Sequence, residues 1–395
     1  MDTVTALLPL RPDLLSGPLL ARIAAQAAEA DRSRSVAPEI IEAIKVSDLI
    51  RLSAARALGG VQGSVTAAGE ELEAVAGACA STAWCLWNHL CVFHHYCTLF
   101  GTEAAALLAG IVAHREWVTY PNGAGSGVIG IRDGDDWVLD GRITFASGAR
   151  YGDWALVMFS HEVEGEEARG ISHTLTRLDA PGVAVVPTWD GISVRASATD
   201  DVILTGVRTP VGFARRFYAD YAARARLPDW PVVDGRYRED WVGLSVLWLA
   251  AQATGVLRSA LDDAVTQAAA RRAIFGVPMA KRPAVQLHLG EAAALAAAAR
   301  ATWMTGSAET DARVAVGMPP SEADLLRQIG LGAASIRLSG EAMRLLVRVL
   351  GGNGLRESGT FERNWRDFQA MSVHIIAHPD RVHEIMGKWL LGVKE

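Results

Sequence analysis

The spacing of apolar residues changes twice along this chain, and that limits the fold more than any single motif does. Up to about residue 112 apolar positions recur at helical intervals. Leu19, Leu20, Ile23, Ala24 and Ala27 form one stripe behind Ser16-Gly17-Pro18, and Ile40, Ile41 and Ile44 form another behind Pro38. Ser64 is placed to cap a helix that carries Leu72, Val75 and Ala76. From about Trp117 to Pro210 the interval shortens. Trp137–Leu139, Ile143–Phe145, Trp154–Phe159, His173–Leu178, Val183–Val186 and Val202–Leu204 read as strands. Asn122-Gly123, Asp133-Gly134, Asp140-Gly141 and Pro181-Gly182 read as turns. Helical spacing then returns, with one helix expected over 236–275 and others over 284–306, 321–350, 361–377 and 380–391. The expected class is α+β: an N-terminal α-helical domain over 1–112, a central β-barrel or sheet domain over 113–212, and a C-terminal four-helix bundle over 213–395.

Composition narrows the function classes. Half of the residues are hydrophobic, too many for a disordered chain, and a net charge of −6 argues against a nucleic-acid surface. Ala74–Thr102 and Trp241–Leu257 contain no charged residue. The first is long enough to span a bilayer, yet Ser81, Thr82, Asn88, His89, His94, His95 and Thr98 are costly in lipid. A buried helix beside a polar pocket is expected instead, with no membrane partner. Met1–Arg11 has no basic segment before an apolar run, so no secretory leader and a cytoplasmic location are expected. Cys79, Cys85, Cys91 and Cys97 recur every six residues, about 240° apart on a helix, and read as small apolar side chains, neither disulfides nor a metal site.

Several motifs then fall in one order. Trp137–Ala149 with Asp153-Trp154, Tyr120–Ser126, Arg195–Val202 and Val207–Pro210 lie in the β-region. Arg272–Gly276, Gly351–Gly354 and Glu362–Asp367 lie in the last helical region. Together they resemble the acyl-CoA dehydrogenase superfamily over nearly the whole chain. The resemblance implies a flavin between the β-domain and the last bundle, in a homotetramer. It implies Ser147 and Ser126 at the cofactor, Arg272 on a pyrophosphate, Phe275 against adenine, and Gly351, Gly352 and Asn353 at a phosphate, with FAD ahead of FMN. Apart from the resemblance, Gly351–Gly354 reads equally as a helix end, Arg272 as a surface ion pair and Ser147-Gly148 as a hairpin turn.

Dehydrogenases of this family remove an α-proton with a Glu. At the two positions where that base is expected the chain carries Ile375 and Val246, and an aliphatic side chain cannot accept a proton. His374 stands seven residues after Asp367. This resembles the flavin-dependent monooxygenase branch, the oxygenase components of two-component hydroxylases. There the His and the Ser of the Ser-Gly motif line the reactive edge of the flavin. The implied activity takes reduced flavin from a separate reductase, forms a C4a-hydroperoxyflavin with O2, and oxygenates a small aromatic or heteroaromatic substrate. His374 and Ser147 are the expected catalytic residues. Trp84, Trp87, His89, Phe93 and Tyr120 are the expected substrate wall. Two other readings stand beside this one: a divergent FAD-dependent acyl-CoA dehydrogenase, and a non-catalytic flavin-binding scaffold.

Overall fold

The computed structural model describes residues 3–393 except 122–126, 164, 166–168, 218–226, 228, 274–275 and 358. Helices α1 (Thr3–Leu7), α2 (Gly17–Ser33), α3 (Pro38–Val46), α4 (Val65–Ala78), α5 (Ala80–Phe100) and α6 (Ala105–Ala113) come first. Strands β1 (Val118–Thr119), β2 (Gly127–Asp133), β3 (Asp136–Ala146), β4 (Trp154–His161), β5 (Gly170–Arg177), β6 (Val183–Val186), β7 (Asp200–Pro210) and β8 (Arg215–Phe217) come next. Helices α7 (Trp241–Ala270), α8 (Pro283–Ala315), α9 (Glu322–Leu350), α10 (Thr360–Val373) and α11 (Pro379–Leu390) complete the chain. This is the α+β architecture that the apolar spacing and the motif order imply.

The strands form one sheet in the order β6-β7-β3-β2-β4-β5-β8, with β1 added parallel to β4. Val128, Leu139, Ile143, Ala155, Val157, Phe159, Val202 and Leu204 make its core. The β3–β7 ladder slips between Ile143 and Ala146. Within that bulge Phe145 takes φ +60°, a left-handed conformation that side chains rarely adopt. A bulge bends the strand and re-aims the residues after it, here Ser147-Gly148.

Helix α5 lies in the middle of the molecule, and every residue on it except Asn88 is buried. Such a helix carries no polar face because the protein surrounds it. Trp84 Nε1 donates to Ser147 Oγ (3.0 Å) on the sheet side and Trp87 Nε1 to the Ser245 carbonyl (3.1 Å) on α7. Helix α7 also packs on α4 so closely that a Cβ on Gly255 would stand 2.1 Å from the Glu73 carbonyl oxygen. By length and composition α5–α6 and α7 could cross a membrane; α7 is 89% buried over its most apolar window.

Several helix ends differ from the sequence reading. Helix α7 begins at Trp241 rather than 236, because Asp240 caps it by accepting from Val242 N (2.8 Å). Arg236 and Tyr237 form a buried 3-10 turn before it. Ser64 caps α4 as expected, accepting from Ala67 N (3.0 Å). Ser16 makes no side-chain cap, and its backbone N–H is taken by Glu71 (2.9 Å). Helix α10 ends at Val373 rather than Ala377. His374 adopts extended backbone (φ −63°, ψ 131°), and its carbonyl accepts from Ala377 N (3.0 Å) in a turn.

Candidate active site

The end of α10 is pinned by the Arg366-Asp367 pair. Buried Arg366 pairs with Glu362 and with Asp31 (2.9 Å) on α2, and donates to the Ile192 carbonyl (2.7 Å). Asp367 accepts from Val194 N (2.6 Å), and Ser193 Oγ donates to the Arg366 carbonyl (2.5 Å). Burial pushes the Asp367 carboxyl up to about 7, and the Val194 N–H works against that. This clamp fixes the 192–194 loop against α10. Val194 (φ +41°) and Ala198 (φ +46°) are held in left-handed backbone there, as Phe145 is across from them. For a β-branched residue this is a strained position, and strain of this kind persists where neighbours over-determine it.

A cavity of about 380 Å3 opens between these elements. One wall is α5, which contributes Trp84, Trp87, Asn88, Cys91 and Val92. These positions follow helical spacing from Trp84 and therefore share one face. Phe145, Trp189, Val373 and Ile375 line it as well, and Phe145, Val373 and Ile375 are exposed and form its rim. Trp241 and Ser245 of α7 and Tyr120 also line it. None of the described lining residues is Asp, Glu, Lys or Arg.

Ser147 and His374 meet on this cavity. Ser147 Oγ accepts from Trp84 Nε1 (3.0 Å) and bonds Thr199 Oγ1 (3.0 Å), which bonds Ser197 Oγ (2.7 Å). The Ser147 carbonyl accepts from Thr119 Oγ1 (2.5 Å), which fixes the peptide behind the hydroxyl. The His374 ring stands edge-on to Trp84 and Trp87, at 5.5 and 5.2 Å between centroids. Burial among these rings lowers its pKa to about 4, so the imidazole is neutral at pH 7. Ile376 N donates to Nδ1 (3.4 Å), which leaves the ring proton on Nε2.

Of the expected substrate wall, Trp84, Trp87 and Tyr120 line the cavity, while His89 and Phe93 do not. Each stands one residue after a lining position, Asn88 or Val92, a turn of about 100° away from the cavity. His89 bonds the Ile50 carbonyl through Nε2 (2.7 Å) and accepts from Val118 N at Nδ1 (3.0 Å), tying α5 to β1. Phe93 packs against His89 and Tyr96 in the core. Asn88, Cys91, Trp189, Thr199, Trp241 and Ser245 are not among the residues expected at the site. Extending the Trp84 stripe to 87, 88 and 91 finds three positions, two of them new; the others depend on the tertiary fold.

The expected cofactor residues fall into two places. Ser126 and Phe275 lie outside the described residues. Arg272 is exposed and donates to the Gly276 carbonyl (2.7 Å). Its neighbour Arg271 donates to the Leu350 carbonyl (3.3 Å), which sets this segment against exposed Gly351, Gly352 and Asn353. That group precedes α10, whereas His374 comes after it, and a 14-residue helix spans about 20 Å. One chain therefore does not bring them to Ser147. Among the described residues, no three His, Cys, Asp or Glu side chains gather as metal ligands.

Two family models match the chain: acyl-CoA dehydrogenase, N-terminal domain, over residues 19–107, and acyl-CoA dehydrogenase, C-terminal domain, over 247–379. The mitochondrial short-chain specific acyl-CoA dehydrogenase of Bos taurus is 27% identical over 243 residues, covering 61% of this chain and 53% of that protein. The chain thus matches about half the length of that relative. Indole-3-acetate monooxygenase of Pseudomonas putida is 24% identical over 368 residues, covering 89% of this chain and 86% of that one. The structure of XiaF from Streptomyces sp. in complex with FADH2 and glycerol shares the fold, with a TM-score of 0.86 and 20% identity over 100% of this chain and 98% of that one.

Proposed function

The chain belongs to the acyl-CoA dehydrogenase family, and from that premise we propose that it is a flavin-dependent monooxygenase, supplied with reduced flavin by a separate reductase, that uses O2 to oxygenate a small aromatic or heteroaromatic molecule. One observation carries this reading: His374 and Ser147 face a single apolar cavity with no carboxylate among its described lining residues. Removing an α-proton from an acyl thioester needs a base at the substrate. Ile375 sits on the rim with an aliphatic side chain, and Val246 is fully buried against Gly332.

The residues present fit a flavin. Phe145, Trp189, Val373 and Ile375 offer an apolar, partly exposed rim to a planar ring system, and the Ser147 and Thr199 hydroxyls offer hydrogen bonds beside it. A relative of the same fold, XiaF, holds FADH2. Bound reduced flavin supplies the two electrons that activate O2. The chain's own groups supply orientation, dryness and one positioned proton. His374 presents Nε2–H, and its depressed pKa keeps it from delivering a second proton near neutral pH. Ser147 Oγ, already accepting from Trp84, has one proton of its own to donate, to Thr199 Oγ1 or to a ligand. Trp84 and Trp87 cover the inner wall and exclude water. FAD is favoured over FMN by the Arg271–Arg272 segment beside Gly351–Asn353, a basic and glycine-rich surface suited to phosphate. Because one chain holds that surface apart from Ser147, a second copy would supply it, in keeping with a homotetramer.

An anaerobic titration separates this reading from the dehydrogenase one. Butyryl-CoA added to FAD-loaded protein is expected to leave the flavin absorbance unchanged. Bleaching of the flavin on that addition would restore the dehydrogenase reading.

A further inference from the structure

One polar group on the cavity wall is left without a partner. Asn88 is the one residue of α5 that is not fully buried, and it faces the cavity. Its Oδ1 accepts from Tyr120 N (3.4 Å) and lies 3.3 Å from Thr119 Oγ1, whose one proton goes to the Ser147 carbonyl (2.5 Å). A backbone N–H can only donate, so the oxygen must face it, and the amide NH2 points the other way. Among the described residues that NH2 has no partner. Ser245 also borders the cavity, but its hydroxyl is fully buried beside the Cys91 thiol and is not open to a ligand. The Tyr120 hydroxyl is bonded to His173 Nε2 (3.0 Å), and burial lowers the His173 pKa to about 4, so that ring is neutral. Donors left unsatisfied in an apolar cavity are costly unless something pairs with them.

We infer that the Asn88 amide NH2 is the recognition point for an uncharged acceptor group, a ketone, amide or ring carbonyl, on a flat apolar substrate. The inference rests on the monooxygenase reading only for placing the reacting end at Ser147 and His374. Asn88 lies midway along the α5 wall, about 6 Å of rise from Trp84 and about 6 Å from Val92, so a two-ring body seated along the whole wall can carry its acceptor group at Asn88. Charge is excluded by the lining. A carboxylate buried here meets amide and hydroxyl dipoles but, among the described residues, no cation, and its lost hydration is not replaced.

Three probes of matched shape test this by isothermal titration of the full chain: 2-acetylnaphthalene, 2-ethylnaphthalene and 2-naphthoate. The ketone should bind about fivefold more tightly than the ethyl compound, the usual size of one neutral hydrogen bond, and at least about tenfold more tightly than the carboxylate. Asn88→Asp keeps the acceptor for Tyr120 N but removes the NH2. It should bring the ketone within about twofold of the ethyl compound. Equal binding of 2-naphthoate and the ketone by the wild-type chain would overturn the subsite, whatever the fate of the variant. So would failure of all three probes to bind, or an unchanged ketone preference in a folded Asn88→Asp protein. No turnover enters these measurements, so they fail or succeed apart from the monooxygenase reading.

Discussion

Replacing His374 by Ala is expected to divert most reducing equivalents from product to H2O2, lowering product formed per flavin oxidised by about tenfold or more while the protein stays folded. The ring packs edge-on against both Trp84 and Trp87 and holds its one proton at Nε2. Without it the cavity admits water at the position where a fixed donor stood. His374→Gln, which restores a donor without an imidazole, should recover part of the coupling. The measurement is product against H2O2 in single turnovers from pre-reduced flavin. Wild-type coupling in folded His374→Ala would remove this residue from the mechanism.

The second large effect concerns acid. Burial holds His89, His173 and His374 at pKa values of about 4 and His94 at about 3, and lowers His95 in the same direction. Each ring stays neutral in the folded protein while its unfolded counterpart gains a proton below about pH 6.5. The sign is therefore a loss of stability that begins as pH falls through 6.5 and is complete only below about 3. Asp367 works oppositely. Its carboxyl, raised to about 7, holds a proton that the unfolded chain releases, so its contribution is present at low pH and lost as pH rises through 7. Near pH 5.5 the four rings with stated values outweigh this one carboxyl, and unfolding should take up about two to three protons. That corresponds to a fall of about 3 to 4 kcal/mol per pH unit, against a total stability of about 5 to 15 kcal/mol for a folded domain. Calorimetry at pH 5.5 in buffers of different ionisation enthalpy reads the uptake directly. Equal stability at pH 7 and pH 5 would contradict neutral, buried histidines.

The sequence carries the layout of the fold more fully than the details of the site. The switch from helical to short spacing at Trp117 and back after Pro210 reflects burial on one helix face or one sheet face, which is local and periodic. Helix ends are less legible, because Asp240 and His374 act through single hydrogen bonds and a turn that periodicity does not encode. At the site, motif register identifies His374 and Ser147, and helical spacing identifies Trp84 and Trp87. His89 and Phe93 are misplaced when aromatic character is weighed without the rotation between neighbouring helix positions. Trp189 and Thr199 reach the cavity from the loop between β6 and β7, Trp241 and Ser245 from α7, and only the packing of these two segments against α5 brings them there. The strained Phe145 and Val194 lie in that same wall, where local propensity and tertiary packing disagree.

The central claim is that this chain directs reduced flavin and O2 toward oxygenation. Stopped-flow mixing of the protein and chemically reduced FAD with O2 tests it most directly. The expected result is flavin reoxidation in two resolved phases, the first proportional to O2 concentration and the second independent of it, with the second slowed relative to free flavin. A single O2-proportional phase at the rate of free flavin, with stoichiometric H2O2, would contradict it.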